Sequence, residues 1–350
     1  MDAFAAFDLT KAYGENTALR GVNLQVPEGG SMACVGPEGA GKTTLARLMA
    51  GLGRPSSGGC SVLGLSPAHE SARLHGMMGA VLYSAKLYGS MSLWDNMRFF
   101  AGAHYVPKDQ GIERASFLLH RLNIWDERDK HPGQLPTGVL KRAGLARALI
   151  HRPKVLLLDE QGAGMDLETA EMVRGLLRYV IQEEGVSLLF CTKNMNYAPG
   201  VCNSFALLDR GALMARGSME ALRVGGGVRL RAALRLAEGQ PGPTGFYQQE
   251  GLWQREIQAE EEMPRLIAQA VAAGGSLYEA RVIRPSLEEI YAAYLAGGRR
   301  REAFHGTTGE TRTGPAGAEP PAGSPEGGEN QAVFLGGTAA GEEGPGDHLG

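Results

Sequence analysis

The chain has 350 residues, a formal net charge of −3 and 43% apolar residues, enough for about two domains with real cores. The charge balance argues against nucleic acid as a partner. No apolar run approaches the ~18–20 residues of a membrane-spanning helix, and Met1-Asp2-Ala3-Phe4 lacks the features of a secretory signal.

Residues 1–217 alternate short apolar strands with helical patterns, which implies a largely parallel sheet covered by helices. Met32-Ala33-Cys34-Val35 is a buried-strand candidate. Gly36-Pro37-Glu38-Gly39-Ala40-Gly41-Lys42-Thr43-Thr44 follows it and matches the P-loop pattern. Leu45, Leu48, Met49 and Leu52 then continue a helix. Such glycines let backbone N–H groups curl around a phosphate, and the helix N-terminus adds dipole potential to the same anion. Lys42 would neutralise the β and γ oxygens, and the Thr43 hydroxyl would take a Mg²⁺ position.

Val155-Leu156-Leu157-Leu158 is a second buried strand, ending in Asp159-Glu160. Asp159 is placed to hold the metal and Glu160 to polarise an attacking water. Ser187 to Cys191 reads as a third strand. Phe205 to Leu208, the turn Asp209-Arg210-Gly211, then Leu213 and Ala215 read as a hairpin. Gly225-Gly226-Gly227 marks a boundary region.

Residues 218–297 read as a small α+β domain in the order strand, helix, strand, helix. Val228 to Leu236 alternates apolar residues with Arg229, Arg231 and Arg235. Pro264 opens a helix, and Ser286-Leu287-Glu288-Glu289 is a capping box for the last one. Residues 298–350 form an acidic tail rich in Gly and Pro, expected to be disordered. Cys34, Cys60, Cys191 and Cys202 are too scattered for a zinc site or a disulfide framework, and read as small core residues in a reducing compartment.

With these motifs in order, residues 1–217 resemble the nucleotide-binding domain of ATP-binding cassette (ABC) transporters. The resemblance implies a P-loop NTPase of ABC type: an α/β fold with a mostly parallel sheet, an antiparallel β subdomain and a helical subdomain. It implies ATP and Mg²⁺ as cofactors, with Thr43 and Asp159 on the metal. Its partners would be a separate transmembrane permease and a second cassette subunit, as homodimer or heterodimer. Its place would be cytoplasmic, at the inner face of the cell membrane. Tyr13 falls where the family stacks a ring on adenine. Asp166, in Gly164-Met165-Asp166, matches the D-loop, whose Asp communicates across the dimer. Arg284-Pro285-Ser286-Leu287-Glu288-Glu289-Ile290-Tyr291 is similar to the C-terminal extension of drug- and antibiotic-exporting cassettes.

Three family motifs depart from pattern. Leu135-Pro136-Thr137-Gly138-Val139 stands where Leu-Ser-Gly-Gly-Gln is expected, the loop that caps the partner's γ-phosphate; Gly138 keeps its N–H. Lys193, in Thr192-Lys193-Asn194, replaces the switch His. It could hold a γ-phosphate, but its reference pKa near ~10.4 makes it a poor proton shuttle. The Q-loop Gln is absent near Tyr83 and Ser84. Losing one preorganised donor typically costs about 10²–10³ in rate, so the expectation is an exporter ATPase of slow turnover. The alternative is a hydrolysis-deficient, nucleotide-sensing regulatory or scaffold subunit.

Overall fold

The computed structural model describes residues 1–82, 87–160, 166–237, 240 and 242–305, the last eight by backbone alone. The chain opens with β1 (Asp2–Tyr13) and β2 (Asn16–Pro27), then β3 (Ser31–Val35), α1 (Lys42–Met49), β4 (Ser57–Val62), α2 (Ser71–His75) and β5 (Met78–Val81). The helices α3 (Leu93–Ala103), α4 (Lys108–Arg121) and α5 (Thr137–Leu149) follow. Next come β6 (Val155–Asp159), α6 (Leu167–Gln182), β7 (Ser187–Thr192), β8 (Ser204–Asp209) and β9 (Ala212–Gly217). The C-terminal part is α7 (Met219–Gly225), β10 (Leu230–Leu236), β11 (Tyr247–Gln249), β12 (Leu252–Ile257), α8 (Met263–Ala272), β13 (Leu277–Ile283) and α9 (Leu287–His305).

A six-stranded sheet in the order β5-β6-β7-β3-β8-β9 is parallel except for the β8–β9 hairpin. Its central strands are buried on both faces, as parallel sheets between helices must be. Ala33, Val35, Leu156, Leu158 and Phe190 enter one apolar cluster with α3–α6. Met32, Cys34, Val155, Leu157 and Cys191 enter another, against α1 and the antiparallel sheet β2-β1-β4. The cysteines are free, and all but Cys60 are buried. The expected α1 helix stops at Met49, three residues before Leu52, because Gly51 turns left-handed at φ 73° and ends the helix as glycine commonly does.

The C-terminal part differs from the expected strand–helix–strand–helix order. A hairpin, β11–β12, intervenes and completes an antiparallel sheet β11-β12-β10-β13. Its two-residue turn is Glu250-Gly251, both at positive φ (51° and 76°). Such turns usually carry Asn, Asp or Gly at the first position, so Glu250 hid it. Gly225 closes α7, so the glycine triplet is a helix terminus. The capping box at Ser286 is present: Glu289 N–H donates to Ser286 Oγ (3.2 Å) and Ser286 N–H to Glu289 Oε2 (2.8 Å).

From α9, Leu287, Ile290 and Tyr291 pack into the helical cluster of the six-stranded sheet. The helix continues to His305, past the expected start of the tail at residue 298, through a run of good helix formers (Arg, Glu, Ala). The rest of the expected tail, 306–350, lies outside the described residues. No helix among the described residues is long and apolar enough to cross a membrane.

Candidate active site

The sheet register assembles the site. Val35 pairs with Thr192, and Asp159 with Cys191, in parallel. The residues just after these strands, Gly36, Glu160 and Lys193, therefore leave the sheet side by side at one edge.

Gly36 has no room for a side chain: a Cβ there would lie 2.1 Å from the Leu208 carbonyl oxygen. At Gly41, the N-cap of α1 with φ 104°, a Cβ would lie 2.5 Å from the Ala18 oxygen. Gly39 needs its conformation (φ 78°) and not the space. Ala40 is buried, and its carbonyl accepts from Gly211 N–H at 3.0 Å. The Leu208 carbonyl also accepts from Tyr291 Oη, 3.2 Å away, which ties α9 to the foundation of the loop.

Lys42 is buried, and its ammonium donates to the Gly36 and Pro37 carbonyls at 2.9 and 2.8 Å. It also lies 3.6 Å from Glu160 Oε1. Asp159 is 5% exposed. Burial pushes its pKa up, the Glu160 carboxylate adds to the rise, and a hydrogen bond from the Thr43 side chain opposes it. Asp159 Oδ1 and Glu160 Oε2 are buried with no hydrogen-bond partner. A buried carboxylate oxygen without a donor is costly, and beside a hydroxyl these atoms suit a hard cation. No cluster of three or more His, Cys, Asp or Glu could hold a metal among the described residues. A Mg²⁺ here would complete its shell with phosphate oxygens and water, its usual habit. Glu160 sits at φ 54°, held by its N–H bond to the Cys191 carbonyl (2.8 Å).

Lys42, Thr43 and Glu160 line one cavity of about 690 Å³, whereas Gly36, Pro37, Ala40 and Asp159 lie outside its lining. It brings together Tyr13, Glu38, Gly39, Gly41, Lys42, Thr43, Thr44, Glu160 and Lys193 of the expected residues. Tyr13 is half exposed, with Lys11 Nζ 4.9 Å from its ring centre. Lys193 is ion-paired with Glu38 at the apex of the loop; this carboxylate holds the lysine's pKa above its ordinary value.

Five lining residues were not expected from the sequence: Asn16, Thr17, Ala18, Arg20 and Arg210. Arg20, from β2, and Arg210, from the β8–β9 turn, meet at the rim, where Arg20 Nε donates to the Arg210 carbonyl at 3.3 Å.

Gly138 and Asp166 lie outside this cavity. Gly138 is in the first turn of α5, with open space where a Cβ would stand. Asp166 caps α6: Oδ1 accepts from Thr169 N–H (2.9 Å) and Oδ2 from Thr169 Oγ1 (2.8 Å). The expected Q-loop position at Tyr83 or Ser84, and Gly164 and Met165 of the expected D-loop, lie outside the described residues.

The sequence profile of the ABC transporter family matches residues 19–163. The methionine import ATP-binding protein MetN of Thermobifida fusca is 35% identical over 237 residues, which are 65% of this chain and 74% of that protein. The chain belongs to the ABC transporter ATP-binding family. MetN of Myxococcus xanthus is 37% identical, over 59% of this chain and 64% of its own. The Fe(3+) ions import ATP-binding protein FbpC of Escherichia coli O157:H7 is 31% identical, over 61% and 62%. The chain thus spans under two thirds of the length of these last two relatives. All three are import proteins by name, so the expected exporter branch finds no support among them.

The cassette fold is seen again in two solved structures, each 24% identical to this chain. One is a dimeric ATP-binding cassette in a post-hydrolysis state bound to ADP and Pi (TM-score 0.58, 61% of this chain, 98% of that one). The other is cbiO1 from Clostridium perfringens, part of the ABC transporter complex cbiONQ (TM-score 0.55, 64% and 95%).

Proposed function

We propose that this cassette is the ATP-binding subunit of an ABC membrane transporter, coupling MgATP binding and slow hydrolysis to a separate permease. The observation that carries this reading is the convergence of Lys42, Thr43, Asp159 and Glu160 beneath a loop in which Gly36 and Gly41 admit no side chain. Gly36 to Thr44 would cradle the phosphates and Tyr13 would stack on the base. Thr43 and Asp159 would hold Mg²⁺, which when bound neutralises charge on the phosphate oxygens. Glu160 would orient and polarise the attacking water, and Lys193 would stand at the γ-phosphate.

Gly138 and Asp166 do not line this chain's own cavity, which suits residues that act on the site of a second cassette in a homodimer or heterodimer. Such a subunit would sit at the inner face of the membrane through its permease. The relatives' names favour import over the export expected from the C-terminal run. The three altered motifs favour low turnover, and a nucleotide-sensing subunit without hydrolysis is the second reading.

Phosphate release by the full chain, alone and with any neighbouring cassette subunit, tests this beside Glu160→Gln. Turnover abolished by the substitution, with MgATP affinity retained, supports the ATPase. Tight binding without turnover in every combination supports the sensor. Absence of MgATP binding by calorimetry overturns both.

A further inference from the structure

The ion pair between Glu38 and Lys193 joins two groups that a γ-phosphate would otherwise separate. Glu38 stands at the apex of the phosphate loop, with its side chain 81% exposed, and Lys193 is half exposed at the tip of β7. Both line the same cavity as Lys42 and Glu160. The register that pairs Val35 with Thr192 sets Lys193 beside the first glycine of the loop, so the pair bridges the loop from end strand to apex.

We propose that Glu38 is an internal competitor for the terminal phosphate: it holds Lys193 when a nucleoside diphosphate or nothing is bound, and a triphosphate must take the lysine from it. The inference rests on the nucleotide reading of this site. A carboxylate and a γ-phosphate are both oxygen anions that accept from an ammonium, and one ammonium cannot satisfy both without bringing like charges together. A diphosphate cradled by the loop N–H groups and Lys42 makes no claim on Lys193, so the pair stays closed over it. Glu38 therefore lowers triphosphate affinity selectively and narrows the gap between ATP and ADP. When the terminal phosphate leaves, the lysine returns to its carboxylate, which resets the loop.

Calorimetry on the full chain with MgADP and the non-hydrolysable triphosphate MgAMP-PNP tests this. Exposed pairs are worth up to about fivefold in an equilibrium constant. Glu38→Gln should tighten MgAMP-PNP by about that factor and change MgADP by less than about twofold. Lys193→Met should weaken MgAMP-PNP selectively. The deciding measurement is Glu38→Gln in the Lys193→Met background, where the gain should vanish because there is no lysine to release. A gain that persists there would mean that Glu38 acts by bare repulsion and would overturn the competition, as would equal effects on both nucleotides. If the unaltered chain binds neither nucleotide, the reading of the site itself fails, a distinct result.

Discussion

The guanidinium of Arg114 grips both carboxylate oxygens of Glu184, Nη1 to Oε1 at 2.5 Å and Nη2 to Oε2 at 2.7 Å. Arg114 is 3% exposed, and its Nε donates to the Leu149 carbonyl at 3.2 Å. One side chain thus ties α4 to the end of α5 and to the segment after α6. Removing Arg114 leaves the largely buried Glu184 carboxylate with only the longer 3.7 Å contact to the exposed Arg152, at a cost of up to about 3–5 kcal/mol. Arg114→Leu is expected to destabilise by that amount in urea unfolding, and Arg114→Leu/Glu184→Leu to recover most of it.

Gly36 and Gly39 separate two reasons for a glycine in the same loop. Gly36→Ala drives a Cβ into the Leu208 carbonyl, and is expected to weaken MgATP binding by about tenfold or more, ~1.4 kcal/mol. Gly39→Ala meets no neighbour and bears only the left-handed conformation, about 1–2 kcal/mol. That cost falls on loop stability more than on affinity. Calorimetry with thermal melts on both variants distinguishes them.

The P-loop and the Asp159-Glu160 pair were legible in the sequence because each is contiguous and set by local needs: positive φ at Gly39 and Gly41, and a carboxylate at a strand end. Arg20 and Arg210 were not. They reach the cavity rim only because β2 and the β8–β9 turn approach each other across the fold, a contact between residues far apart in the chain. The β11–β12 hairpin was hidden for a different reason: Gln254 is buried where period-2 patterning expects an apolar residue, and Glu250 occupies a turn position that favours smaller residues. The pairing of Lys193 with Glu38 needed the β3–β7 register.

Lys193 is expected to remain protonated throughout the neutral range, since Glu38 raises its pKa further. It can therefore supply charge and not a proton relay. Lys193→His introduces a ring that titrates near neutrality, and phosphate release should rise. An unchanged rate between pH 6 and 8 would mean that proton handling does not limit turnover.

His151 stacks on His104, with ring centres 3.8 Å apart and planes 9° from parallel. Burial, with the neighbouring His104 adding to it, pushes the His151 pKa down to about 4. The folded chain keeps this ring neutral where the unfolded chain, with a pKa near 6.5, binds a proton. Stability should therefore fall as pH drops from about 6.5 towards 4, by no more than about 3 kcal/mol for this group. His151→Gln should flatten that part of the profile, measured by denaturant unfolding at successive pH values.

The oxygen of Leu208 is a shared abutment. Gly36 rests against it, and the Tyr291 hydroxyl donates a hydrogen bond to it. Cutting the chain ahead of Leu287 would strip that donor from the carbonyl against which the first residue of the cradle packs. A cassette shortened ahead of Leu287 is therefore expected to hold MgATP less firmly than the whole chain, which calorimetry on the two checks.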